Sequence, residues 1–169
     1  MSAQLQSPQT PARPASLAWR AARLADVDAL LSVEQRAYSH PWTHGNFVDS
    51  IAGGHWVWLG FEGEHLRAYW LAMPVLDELH LLNLAVEPHH WGRGLGAQAL
   101  EHLRKSARAQ SIRDIWLEVR VSNLRAQRLY QRHGYLTEGR RRDYYPAGTN
   151  GREDALLMRL SMPLRGGSA

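Results

Sequence analysis

The sequence has 169 residues, 44% of them hydrophobic and 21% charged, the composition of an ordinary globular protein and, at this length, of one domain rather than two. A chain of this size buries a core without a metal or a disulfide, and with no cysteine it has no thiolate nucleophile and no cysteine-ligated metal centre. The formal charge of +4 hides a split: residues 1–88 carry 5 basic and 9 acidic groups, residues 89–169 carry 15 and 7, and all the basic residues but Lys105 are arginine. The second half is therefore suited to an anion, either nucleic acid or a phosphorylated cofactor. No apolar run approaches the roughly 18 residues of a membrane span, and the first residues lack the apolar stretch of a secretory signal, so a cytoplasmic protein with no membrane partner is expected.

Residues 1–15, with Pro8, Pro11 and Pro14 among Ser, Gln and Ala, are expected to form a disordered tail, followed by one domain over 16–163 and a flexible end at 164–169. Leu17 to Ala21 reads as a first strand. Asp26 or Asp28 then opens a helix with Val27, Leu30, Leu31, Ala37 and Tyr38 at helical spacing, ended by Pro41. Thr43 is the N-cap of a short second helix with Phe47, Val48 and Ile51 inward, closed by Gly53 and Gly54.

His55 to Phe61 and Leu66 to Val75 read as a hairpin, and Glu78 to Val86 as a third strand. That strand is apolar on both faces, Leu79, Leu81 and Ala85 pointing one way and Leu82, Leu84 and Val86 the other, which makes it central in its sheet. Beyond Pro88 the pattern becomes loop, helix (95–110), strand (115–121) and a helix from Asn123 to His133 closed by Gly134. Two strands, Tyr135 to Arg142 and Asp154 to Met162, follow, joined by a loop over 146–151. The sum is an α/β fold: a central mixed, mostly antiparallel sheet flanked by helices.

Gly92, Gly94 and Gly96 lie between the buried strand and a helix N-terminus. Unpaired N–H groups, a positive helix end and glycines that admit close approach suit a phosphate, and Arg93 adds a mobile positive charge. A plain tight turn is the competing reading. The spacing also matches a dinucleotide-binding fingerprint, but that belongs to the first strand–helix turn of a doubly wound sheet, and here a hairpin and two helices come before it. No Lys-Ser or Lys-Thr follows the glycines, so a phosphate-loop NTPase is excluded. His40 and His44 are four apart with Pro41 between them and no accompanying carboxylate motif, so no metal is expected.

The stretch from Leu82 to Leu100 resembles the cofactor motif of the GCN5-related N-acetyltransferases, a Gln/Arg-x-x-Gly-x-Gly/Ala turn around the pyrophosphate of acetyl-CoA. Gly94 and Gly96 match it, while Trp91 stands where the family usually has Gln or Arg. The resemblance extends over about residues 17–162, through Ala37-Tyr38, Pro41-Trp42-Thr43, Leu117-Glu118-Val119-Arg120, Ser122-Asn123, Leu129-Tyr130, Gly134-Tyr135, Arg141-Arg142-Asp143-Tyr144-Tyr145-Pro146 and Gly151-Arg152-Glu153-Asp154-Ala155. These segments are similar to the branch of the family that acetylates the N-terminal alanine of a small-subunit ribosomal protein.

The resemblance implies acetyl-CoA as co-substrate, held by Leu84, Ala85, Val86, Gly92, Arg93, Gly94, Leu95, Gly96, Ala97, Asn123 and Tyr130. It implies Glu118 as general base, directly or through water, and Tyr130 as the acid that protonates the departing thiolate. Tyr38, Trp42, Tyr144 and Tyr145 are the implied acceptor groove. An α-amine, with a pKa of about 7.7–8.0, is partly neutral near pH 7 while a lysine at about 10.4 is not, so an N-terminal acceptor is the easier one. Read from the residues alone, Glu118 also fits an ion pair with Arg142 or near Arg120, and Tyr130 a place in the core. Other N-termini, lysines or small amines remain alternative acceptors. A non-catalytic acyl-CoA-sensing or RNA-associated module, with Arg125, Arg128 and Arg132 meeting phosphates, is the alternative of another class. Direct nucleic-acid binding is not expected.

Overall fold

The computed structural model describes residues 15–163, so the tails expected at 1–15 and 164–169 lie outside the described residues, Ala15 apart. In chain order the elements are β1 (Ala18–Ala21), α1 (Val27–Ala37), α2 (His44–Ala52), β2 (Trp56–Glu62), β3 (His65–Val75), β4 (Glu78–Val86), α3 (Leu95–Ala109), β5 (Asp114–Arg120), α4 (Leu124–Arg132), β6 (Leu136–Ala147) and β7 (Gly151–Ser161), with 3-10 turns at Leu24–Asp26 and Pro88–His90. One sheet holds the strands in the order β1-β2-β3-β4-β5-β7-β6. β4 and β5 run parallel and every other neighbouring pair antiparallel, the mixed, mostly antiparallel sheet expected.

Two apolar clusters cover the two faces of the sheet. Val27, Leu30, Val33 and Phe47 of α1 and α2 pack on Val57, Leu59, Tyr69, Leu71 and Ala85. On the other face Ala99, Leu100, Leu103 and Ala107 of α3 and Tyr130 of α4 pack on Trp70, Leu79, Leu81, Leu84, Ile115, Leu117 and Met158. The helices form where the apolar spacing demands, and α2 starts at the expected cap, Thr43 Oγ1 accepting from the Asn46 N–H (3.2 Å) while Asn46 Oδ1 accepts from the Thr43 N–H (2.9 Å).

Three expectations are corrected. First, α1 ends at Ala37, well before Pro41, because Tyr38 is already extended (φ −127°, ψ 142°) and its hydroxyl donates to the Leu84 carbonyl. Second, the simple alternation of β4 breaks. Asn83 pairs with Leu71 and Leu81 with Ala72, which leaves Leu82 without a partner. This bulge shifts the pattern by one residue, so Leu84 joins Leu79 and Leu81 in one cluster, Ala85 lies in the other, and Leu82 is exposed. Third, the expected loop over 146–151 shrinks to a turn at 148–150, pairing continuing to Ala147 with Gly151. Arg120 of β5 holds it there, donating to the Pro146 carbonyl (2.6 Å) and to Glu153 (2.9 Å) and lying 4.4 Å from the centre of the Tyr145 ring.

His102 of α3 sits among Trp19, Trp58 and Trp70, stacked on the first at 4.7 Å and accepting from the Trp70 indole N–H through Nδ1 (3.1 Å). Burial, with a smaller contribution from Lys105, lowers its pKa. The folded state therefore favours the neutral ring, and His102 contributes stability above the ordinary histidine value of about 6.5 that is lost as pH falls through its lower folded value. Melting curves from about pH 7.5 to about pH 5 should show a steeper loss of Tm in the wild type than in H102N, and parallel curves would contradict the assignment.

Candidate active site

Beyond the Leu81–Leu117 pair, β4 and β5 no longer pair, so the central sheet opens at the C-terminal ends of its two parallel strands. The bulge at Leu82 lies where they part. A residue's N–H and C=O leave a strand on the same edge, and the Glu87 N–H bonds to Arg67 of β3 (2.8 Å), so by alternation Leu84 and Val86 direct theirs into the gap. The gap is a cavity of about 690 Å³, within the size range of small-molecule sites. Among the described residues the carbonyls of Leu84 and Val86 are taken by the Tyr38 hydroxyl and by the Trp91 indole N–H (2.8 Å).

One end of the cavity is the glycine turn. Gly92 and Gly94 have φ near +78°, and a Cβ built on either would meet no heavy atom within 4 Å, so this face of the turn is open. The first helical N–H groups of α3, on Leu95, Gly96 and Ala97, find no intrahelical acceptor and border the same space. Gly96 is there for another reason, since a Cβ on it would stand 3.0 Å from Leu129 of α4. Arg93, expected as a mobile charge, is held: its guanidinium pairs with Glu62 (2.7 Å), which also pairs with Arg67, and its side chain does not border the cavity. The two arginines lower the Glu62 pKa to about 2.

The other end carries Glu118, Tyr130 and Tyr145. Glu118 pairs with Arg141 (2.9 Å), not with Arg142 or an arginine near Arg120. This follows from a second bulge: between the pairs Arg141–Ala155 and Tyr145–Glu153, residues 142–144 loop out of β6, with Asp143 at φ +48°. Asp154 fixes the loop by accepting from the Asp143 N–H (2.9 Å) and from Arg140. Tyr144, held on the bulge, does not border the cavity; the Glu118 carboxylate beside it raises its pKa.

Tyr130 is buried among both core and cavity residues, and its hydroxyl makes no hydrogen bond to another described residue. Burial, and secondarily Tyr145, pushes its pKa well above the usual phenol value, so it stays protonated throughout the neutral range. The Tyr145 hydroxyl donates to the Glu118 carbonyl (3.1 Å), and burial raises it to about 12. Asn123 borders the cavity but caps α4, its side-chain oxygen accepting from the Ala126 N–H (3.1 Å), where the helical spacing had put it inside the helix. Trp42 and Tyr38 line the α1 side.

Sequence reasoning passed over Glu34, which is 1% exposed and lines the cavity wall. One carboxylate oxygen accepts from the Trp42 N–H (2.8 Å), the other from the Tyr69 hydroxyl and from Asn83 Nδ2 (3.2 Å). Its signal was legible: a lone charge at helical spacing from Leu30 and Ala37, on the inward face of α1. It ties the Tyr38–Trp42 segment to the central strands.

Residues 27–135 match the model of the acetyltransferase (GNAT) family, well over half of the chain. The chain belongs to the GNAT acetyltransferase family. It is 36% identical over 139 residues to the ribosomal protein bS18-alanine N-acetyltransferase of Escherichia coli K12, spanning 82% of this chain and 93% of the relative. The crystal structure of the E. coli ribosomal-protein-S18-alanine N-acetyltransferase superposes with a TM-score of 0.83 and 33% identity, covering 90% of this chain and 98% of that one. A Salmonella typhimurium protein solved with its cofactor acetyl-CoA shares the fold, with a TM-score of 0.71 at 18% identity over 90% of this chain and 98% of its own.

In this GNAT enzyme E34A strands three donors, two of them side chains in the buried wall. The expected cost is about 1–3 kcal/mol of stability, read from denaturant unfolding, and an unchanged midpoint would show that the wall does not depend on Glu34.

Proposed function

We propose that this protein transfers the acetyl group of acetyl-CoA to the α-amine of the N-terminal alanine of a small-subunit ribosomal protein. The observation that carries the reading is the single cleft between β4 and β5, with an open glycine turn at one end and Glu118 and Tyr130 at the other. The likeness to relatives named for alanine N-acetylation supports the acceptor. The residues present fit the donor: free N–H groups on a positive helix end for phosphates, and a strand edge with backbone donors for an amide-bearing arm.

Acetyl-CoA supplies an activated thioester. The N–H groups of Leu84 and Val86 face the gap and are placed to bind the amide-bearing arm and to polarise the thioester carbonyl. Glu118, directly or through one water, takes the proton that the amine sheds as the C–N bond forms. Tyr130, kept protonated by burial and with a free hydroxyl, gives its proton to sulfur as the C–S bond breaks. Arg141 holds the Glu118 carboxylate and so positions it. The hydroxyls of Tyr38 and Tyr145 are committed to backbone carbonyls, so toward an acceptor these two offer ring faces, suited to a short apolar residue such as alanine.

Intact-mass measurement should find one acetyl added to an Ala-Arg-initiated peptide incubated with acetyl-CoA and the protein, and none on the same peptide with a blocked α-amine and a free lysine. Acetylation of the blocked peptide would replace the α-amine with lysine as the acceptor. Tyr130→Phe should lower kcat about a hundredfold or more while acetyl-CoA affinity stays within a few fold; unchanged turnover removes Tyr130 from the acid role.

A further inference from the structure

We propose that Arg125, laid on the face of Trp91, is the side-chain phosphate contact of this enzyme's coenzyme A site, Trp91 being the platform that positions it. The inference rests on the acetyl-CoA reading above and goes beyond it, because it assigns the charge that the glycine turn lacks. Trp91 stands at the first position of the turn, where it brings no charge. Its indole is fixed in place by the N–H donated to the Val86 carbonyl (2.8 Å), and the Arg125 guanidinium lies 4.1 Å from its ring centre. Both side chains border the cavity together with Gly92, Gly94, Leu95, Gly96 and Ala97.

Two further observations point the same way. Arg93 and Arg120 are already engaged, with Glu62 and Glu153, each partner close enough for a direct ion pair, and Arg132, which also borders the cavity, lies in the last turn of α4, where a cation complements the helix end. No carboxylate among the described residues pairs with Arg125. It also occupies the first turn of α4, directly after the Asn123 cap and Leu124, where the helix end is itself positive and a cation is electrostatically misplaced unless an anion joins it. The stack on Trp91 orients the guanidinium but supplies no negative charge. A phosphate at the α3 turn would complete both, with the planar fork of Arg125 facing oxygens that the backbone N–H groups hold from the other side.

Binding of coenzyme A and of 3′-dephospho-coenzyme A, measured calorimetrically at low and at high salt, tests this. R125A should weaken coenzyme A about tenfold at low salt, with the difference shrinking as salt screens the charge, whereas R128A, exposed on the same helix and away from the cavity, should bind like wild type. A penalty that persists with the dephospho compound assigns the contact to the pyrophosphate, and one that vanishes assigns it to the 3′-phosphate. W91F keeps the ring under Arg125 and should stay within about threefold of wild type, while W91A should lose about as much as R125A, and the double variant no more than either alone. An R125A affinity within about twofold of wild type at low salt overturns the assignment, and fully additive losses overturn the platform role of Trp91. Wild-type protein that binds no coenzyme A overturns the donor reading along with it, a result distinct from either. Arg125 is exposed, so the unfolding midpoint of R125A should match the wild type, whereas W91F and W91A both lose the hydrogen bond to the Val86 carbonyl and so serve as each other's control; R125Q repeats the charge removal with a side chain close to its length.

Discussion

Beyond Leu81, through Val86, the central strand loses its neighbour on one edge, and backbone groups this deep in a protein do not stay unpaired. Much of the site is an answer to that deficit. Tyr38 and Trp91 reach in from opposite sides to take the carbonyls of Leu84 and Val86, and the N–H groups on the same edge are left to whatever enters. The Leu82 bulge creates the deficit by turning the strand where its partner departs, and it moves Leu84 to the cluster under α3. The end of the strand is fixed by Glu87, nearly buried and paired through both oxygens with Arg36 of α1. An open edge needs a rigid frame, and ion pairs at partly buried positions supply it here.

Carboxylates do most of the positioning. Glu34 gathers Trp42, Tyr69 and Asn83 behind the cavity, Glu153 holds Arg120 and the Ser122 N–H at its floor, and Asp154 pins the bulge that brings Arg141 and Tyr144 to Glu118. Ser122 lowers the pKa of Glu153 and the Asp143 N–H that of Asp154, with Arg120 and Arg140 next in effect. Glu118, which faces the cavity, is thereby fixed by groups that are themselves fixed, the arrangement a proton-transfer group needs.

The order and type of the elements were legible in the sequence because each long segment carries an unambiguous period, as in α1 and α3, or clear turn chemistry, as at Thr43 and Gly134. The glycine turn was legible as an anion site because Gly92 and Gly94 announce φ values other residues avoid. What was not legible came from tertiary pairing. The bulges at Leu82 and at 142–144 leave no trace in periodicity, so the facing of Leu84 and the Arg141 partner of Glu118 were misread. The fate of Arg93 depended on Glu62, thirty-one residues away on β2, and a single sequence gives no means of finding such a partner. Gly96 and Asn123 were read for chemistry, yet their first duties are helix packing and capping.

The parted strands also make the molecule two half-sheets, β1 to β4 and β5 to β7, joined along a seam that runs only from Glu78–Asp114 to Leu81–Leu117. A molecule lying in the gap is then a tie across the seam as well as a reactant, taking up hydrogen bonds that the sheet itself leaves open. Whatever binds the folded chain and not the unfolded one adds to its stability in proportion to the logarithm of its concentration. A ligand that spans the seam would therefore raise the folded population as its concentration rises, with the two half-sheets held together most firmly when the gap is filled.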